Sequence, residues 1–205
     1  VNAADYTIQS YDINMKVNEN NTFDITETIT ADFHISKHGI IRKIPLVNQI
    51  NRVDGTSSRN KAKISNIRVN QDYQLKKEDG YQIIQIGNSS TTVKGLQSYV
   101  ISYTYNIGKD PLKEVDELYY NLIGTEWDTI INQVTFTITM PKPFDASSLG
   151  FATGSKGSTN QGVKYMVKDK TITGSYNKTL SSYQGLTVRL TLPEGYFVGA
   201  SNKTS

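Results

Sequence analysis

The side chains able to do chemistry fall into three groups. His34 and His38 are the only histidines, four residues apart. At that spacing they share a helix face, and on an ideal strand they also point the same way. Such a pair can begin a metal site. Zinc takes three or more protein ligands, however, and the intervening Ile35-Ser36-Lys37 lacks the glutamate of a metalloprotease helix. Exposed or hydrogen-bonded imidazoles are the expectation, and no metal is assigned. The second group is acidic: Glu114, Asp116, Glu117, Glu126 and Asp128 crowd one stretch. Paired carboxylates serve glycoside hydrolysis and bind calcium, but their separation in space decides either. By residue type they are expected to form a solvated rim or to partner Arg42 and Lys43. The third group is aromatic: Tyr119, Tyr120 and the only tryptophan, Trp127. Trp127 is expected to anchor the core, with an exposed ligand platform as the alternative.

Other chemistries lack their motifs. There is no GxSxG nucleophile turn, and Gly154-Ser155-Lys156-Gly157 lacks the spacing of a phosphate-binding loop. The absence of cysteine excludes a disulfide framework, a thiol nucleophile and a cysteine metal site. No catalytic residue and no cofactor is assigned. The net charge of +3, with no dense basic block, argues against nucleic acid. No apolar run approaches the roughly 20 residues of a membrane span. Sequons such as Asn88-Ser89-Ser90 and Asn202-Lys203-Thr204 matter only in a glycosylating host.

The elements that must position these groups are strands. Ile13, Met15 and Val17 alternate with polar residues, and so do Phe23, Ile25, Ile29, Ala31 and Phe33, across a turn at Glu19-Asn20-Asn21. This predicts a long hairpin with one buried face. A phase shift near Ser10 predicts a bulge. Glu27 falls in the apolar phase and is expected at the sheet rim. Residues 48–63 are mostly polar and predict an exposed loop, and Gly39 predicts a turn. A second hairpin is expected around Asp79-Gly80. Tyr99, Ile101, Tyr103 and Tyr105 predict a strand whose phenols reach water. Residues 111–115 suit a short helical turn capped by Asp110. A strand at 118–122 then breaks at Gly124 into a loop that plants Trp127 near the core. Further strands are expected at 134–140, 163–167, 171–174 and 186–192, with a surface connection over 150–162. No long amphipathic helix and no fixed-period repeat is present. The fold class is therefore all-β, an antiparallel sandwich, preferably one large unit rather than two packed small ones. Its expected extent is 5–197, with 1–4 a processing or cloning remnant and 198–205 a linker or tail.

Three segments in order resemble a known family. Tyr6-Thr7-Ile8 with Ile25-Thr26-Glu27-Thr28-Ile29 is similar to its opening hairpin. His38-Gly39-Ile40-Ile41-Arg42-Lys43-Ile44-Pro45 is similar to its H-G-I-x-R-x-I-P element. Glu117-Leu118-Tyr119-Tyr120-Asn121-Leu122-Ile123-Gly124-Thr125-Glu126-Trp127 is similar to its E-L-Y-W-N-x-x-G-x-x-W signature, with Tyr120 in place of tryptophan. The family is that of bacterial predicted membrane proteins of unknown function, domain-of-unknown-function family 2207. The resemblance covers residues 5–193. It implies an N-terminal extracytoplasmic domain, preceded by a signal peptide and followed by membrane spans. It carries no catalytic residue over. The expected function is a membrane-tethered, non-catalytic binding module for a protein or cell-wall glycan. Its expected face is His38, Arg42, Tyr119, Tyr120, Glu126 and Trp127. A sugar-active or sugar-binding domain needs exposed aromatics and facing carboxylates; a structural spacer needs no concave polar site. Arg42 is expected to clamp an acid such as Glu117 or Glu126.

Overall fold

The structure, a computed structural model, describes residues 5–154 and 162–201. The expectations for 1–4, for most of the connection over 150–162 and for the last sequon fall outside these residues. The chain runs through β1 (Tyr6–Val17), β2 (Thr22–Lys37), β3 (Gly39–Pro45), β4 (Val47–Asn51) and β5 (Ser57–Lys61). It continues through β6 (Lys63–Val69), β7 (Tyr73–Glu78), β8 (Tyr81–Gly87), β9 (Val93–Asn106) and β10 (Val115–Ile123). The last strands are β11 (Val134–Thr139), β12 (Gly150–Gly154), β13 (Lys164–Lys168), β14 (Thr171–Tyr176) and β15 (Gly185–Pro193). One 3-10 turn, Ala146–Ser148, is the helical content of the described residues.

The period-2 segments make the layers. A seven-stranded sheet has the order β13-β14-β11-β1-β2-β9-β6. Two three-stranded sheets, β10-β15-β12 and β3-β8-β7, pack on its inner face, and β4-β5 forms a separate ribbon. All pairings are antiparallel except that of β1 with β11, which is parallel. The hairpin β1-β2 runs from Tyr6 opposite Phe33 to Val17 opposite Phe23, with the expected bulge between Ile8 and Ser10. Its turn ends on Asn21 at φ 60°, a conformation that asparagine tolerates better than most residues. Asp79 and Gly80, both at positive φ, close the β7-β8 hairpin.

Alternation fixes which side chains meet. Ile13, Met15, Phe23, Ile25, Phe136 and Ile138 on the large sheet face Ile44, Ile84, Leu118, Leu122, Val188 and Leu190 on the small ones. They form one continuous core. The opposite face of the large sheet stays polar, with Thr137, Asn14, Thr26 and Ser102 side by side in register. Hydroxyls and amides there are exposed or half-buried, as expected of a sheet with one wet face.

Several expectations are corrected by the second layer. Residues 48–63 are not an exposed loop: they contain β4 and β5, and Ile50, Arg52 and Asn60 are buried. Their polar composition hid an inward-facing phase. Residues 111–115 form no helical turn, although Asp110 does accept a bond from the Leu112 amide, at 2.9 Å. Tyr99, Tyr103 and Tyr105 do not lie at a wet core edge but are fully buried, because the small sheets cover the middle of β9. The domain extent is a separate matter: after β15 the Val198 amide donates to the Glu19 carbonyl at 2.7 Å, and the Lys109 amide to that of Ser201 at 2.6 Å.

Gly39 does not make a turn. It opens β3 directly opposite Gly87. A Cβ on Gly39 would stand 1.8 Å from the Ile86 carbonyl oxygen, and one on Gly87 would stand 2.0 Å from that of His38. Both obstacles are backbone, which cannot swing aside as a flexible side chain can. We expect Gly39→Ala to cost about 2–3 kcal/mol and to lower the melting temperature by roughly 5–10 °C. A thermal melt that matches wild type would rule out this close approach.

Candidate functional site

The core contains a charge. Glu27, expected at the rim, is 1% exposed and sits in the middle of β2. Arg42 on β3 is 2% exposed and meets it as a fork: Nε donates to Oε1 at 2.8 Å and Nη2 to Oε2 at 2.8 Å. Tyr11 donates to Oε1 at 2.8 Å and Tyr103 to Oε2 at 2.6 Å. The remaining guanidinium nitrogen donates to the Lys43 carbonyl at 2.6 Å. Trp127 covers the group, with the Arg42 guanidinium 5.8 Å from its ring centroid and Tyr11 edge-on at 5.9 Å. Burial disfavours charge on Glu27, but Arg42 and the phenol donors outweigh it and hold the carboxyl below its usual range. Burial also raises Tyr11 and Tyr103 well above the usual phenol range, so both remain protonated donors. The partner of Arg42 is thus Glu27, not Glu117 or Glu126.

Glu117, on the other face of β10, serves a second buried cluster. Arg52 reaches its Oε1 at 3.4 Å and Arg189 lies 3.6 Å from its Oε2. Its backbone amide bonds to Asp110, whose pKa is pushed up to about 6 by burial and by the nearby charge of Asp116. Asp116 in turn accepts from the Phe197 amide at 2.9 Å. Asp116 and Glu117 are therefore buried structural acids rather than part of a solvated rim.

The expected site residues divide accordingly. Arg42, Tyr120 and Trp127 are buried in the core, with Trp127 only 4% exposed, so they present no aromatic platform. His38 is exposed and its Nδ1 meets the Thr91 carbonyl oxygen at 2.7 Å. Tyr119 and Glu126 do come together, on the wall of a groove of about 330 Å³. The groove lies between the ribbon β4-β5 and the outward face of β10-β15-β12. Asn121, Thr187 and Arg189 line it as well, and Tyr81 stands at its side. Thr187 donates to Asn121 at 2.7 Å, while Arg189 stacks over the Tyr119 ring at 4.9 Å and bonds the Asn51 carbonyl. On β12 the residues opposite Thr187 and Gly185 are Ala152 and Gly154, which keep the groove open. The lining residues on β15 were missed in the sequence; the signal was the polar phase of Thr187 and Arg189 opposite the apolar one. Among the described residues, no group of three or more His, Asp or Glu comes together that would hold a metal.

Comparison with known proteins fits this architecture. The profile described as "Predicted membrane protein (DUF2207) N-terminal domain" matches residues 7–192. The chain belongs to this family. No curated protein matches by sequence. Among solved structures, native yeast LTA4 hydrolase is similar with a TM-score of 0.52 at 12% identity, over 90% of this chain and 29% of that one. The M1 zinc metallopeptidase of Deinococcus radiodurans gives 0.45 at 13% identity, over 89% of this chain and 42% of that one. At such identity the first likeness is one of fold alone, and the second carries no argument. This chain spans only 29% of the hydrolase's length, and the chemistry in those names belongs to those proteins. Among the described residues no helix is long and apolar enough to cross a membrane.

In this family member the three recognisable segments converge on the Glu27–Arg42 pair. Removing one partner leaves an uncompensated charge in the core, so Arg42→Ala should cost about 3–5 kcal/mol, read from denaturant unfolding. An unchanged midpoint would remove the pair from any role in stability. The pH dependence follows from the depressed carboxyl of Glu27. Its contribution is present above the unfolded value of 4.5 and is lost as pH falls through the lower folded value. Glu27→Gln should therefore start less stable and lose less stability than wild type below that pH. Parallel acid limbs would contradict this.

Proposed function

We propose that this chain is the extracytoplasmic, non-catalytic recognition domain of a membrane-anchored protein, and that it binds its ligand in the groove between β4-β5 and β10-β15-β12. The observation that carries this reading is the groove itself. A spacer has no use for a concave polar site, yet here tyrosine, amide, hydroxyl and guanidinium groups converge on about 330 Å³. That volume falls at the lower end of the range for small-ligand sites. Membership in a family of predicted membrane proteins supports the tether. A sugar site built on Trp127 is not favoured, because that ring is in the core.

Two measurements test the proposal. The chain has no cysteine, so Ser89→Cys in the exposed turn after β8 gives a single label site within it. In intact cells an impermeant maleimide should label that variant above its parent; labelling only after permeabilisation would refute the extracytoplasmic placement. In a nuclear magnetic resonance screen of short peptides and sugars, shifts should centre on Asn121, Thr153 and Thr187. Ala152→Trp, which fills the groove, should abolish them. Shifts that persist in this variant would move the binding site elsewhere.

A further inference from the structure

Of the acids in the protein's interior, Glu126 alone has neither a cation nor a backbone amide for a partner among the described residues. Glu27 has Arg42 and two phenols. Glu117 has Arg52 on Oε1 and the Arg189 guanidinium 3.6 Å from Oε2, an ion pair without a hydrogen bond. Asp110 and Asp116 accept from backbone amides. Glu126 has one neutral donor, the Thr125 hydroxyl, 3.1 Å from Oε2. Its Oε1 is buried without a hydrogen-bond donor among the described residues. A carboxylate oxygen withdrawn from water without a donor gives up its hydration with nothing in return.

The local structure holds Glu126 in that position. A Cβ on Gly124 would lie 2.2 Å from Glu126 Oε1. Gly124 is thus the space into which the carboxylate folds, and a side chain there would push it out. This glycine belongs to the segment Asn121 to Trp127 that resembles the family signature. Glu126 lines the groove, and its charge acts on Tyr81 across from it: burial first, then Glu126, raises the Tyr81 phenol. Among the described residues the other charged group lining the groove is Arg189, already beside Glu117 and stacked on Tyr119. Its Nε is buried 3.6 Å from Glu117 Oε2 and is turned to that acid rather than to the groove. The groove therefore offers a carboxylate with no cation beside it, set in neutral amides and hydroxyls.

We infer that Glu126 is the anchor of the groove and that its ligand is a small molecule bearing a primary ammonium group. This rests on the groove being the recognition site. An ammonium supplies what the site lacks, a positive charge with three donors. A free peptide amino terminus and an amino sugar share this chemistry.

The test uses matched probes that differ in that one charge: alanyl-alanine against N-acetyl-alanyl-alanine, and glucosamine against N-acetylglucosamine. Binding is read from amide shifts of the wild-type chain, Glu126→Gln and Ala152→Trp. We expect at least one ammonium probe to bind wild type about tenfold or more tightly than its acetylated partner, and which one identifies the source. Glu126→Gln should erase that preference, and Ala152→Trp should abolish binding. An acetylated probe that binds as well as its amine, in a manner blocked by Ala152→Trp and indifferent to Glu126→Gln, would overturn the ammonium anchor and leave the groove standing. No groove shifts with any probe would overturn both the anchor and, for this ligand class, the groove.

Discussion

The Glu27–Arg42 pair is the constraint around which the layers are arranged. A carboxylate and a guanidinium withdrawn from water are tolerated only where every lone pair and proton finds a partner in good geometry. Here that demand draws on β1 through Tyr11, β2 through Glu27, β3 through Arg42 and β9 through Tyr103. Tyr103 then touches Tyr120 on β10 at 3.3 Å, so both small sheets are registered against the large one by a single polar network. Apolar contacts alone fix such a docking less sharply, because sliding one hydrophobic face over another by a residue pair changes little. Sliding this pair breaks the fork.

The second cluster does the same on the far side of β10. Alternation sends Leu118, Tyr120 and Leu122 inward and leaves Glu117, Tyr119 and Asn121 outward. Outward here does not mean wet, since the ribbon β4-β5 folds over the upper part of the strand and brings Arg52 to Glu117. The groove is what remains open beneath that ribbon. Its rigidity comes from Glu117 and Arg189, its depth from the small residues of β12, and its unmet charge from Glu126. Core packing and groove lining therefore share one short strand, with Leu118, Tyr120 and Leu122 on one face and Glu117, Tyr119 and Asn121 on the other.

The likeness to native yeast LTA4 hydrolase, at 12% identity, is one of layer arrangement. A wide sheet covered by smaller sheets buries one face and leaves the other to solvent. That solution recurs wherever strands of opposite polarity pattern must be covered.

The long alternating strands, their inward phase, the bulge at Ser10 and the core position of Trp127 were legible in the sequence, because period-2 alternation and turn chemistry are local; β3, β4, β5 and β12 were not. The family could be read from three short segments. What those segments do could not. Glu27 and Arg42 are only 15 residues apart, yet nothing in the intervening chain says that one sheet folds across another to join them. A lone acid in an apolar phase is normally a rim residue, and only a cation from a separate sheet changes that. The ribbon at 47–61 was hidden for a similar reason: its polar residues are buried by partners on β9, β10 and the following loop, not by their own hydrophobicity. Strand identity is decided by neighbours along the chain. Burial of charge, and with it the groove and the open carboxylate of Glu126, is decided by neighbours in space.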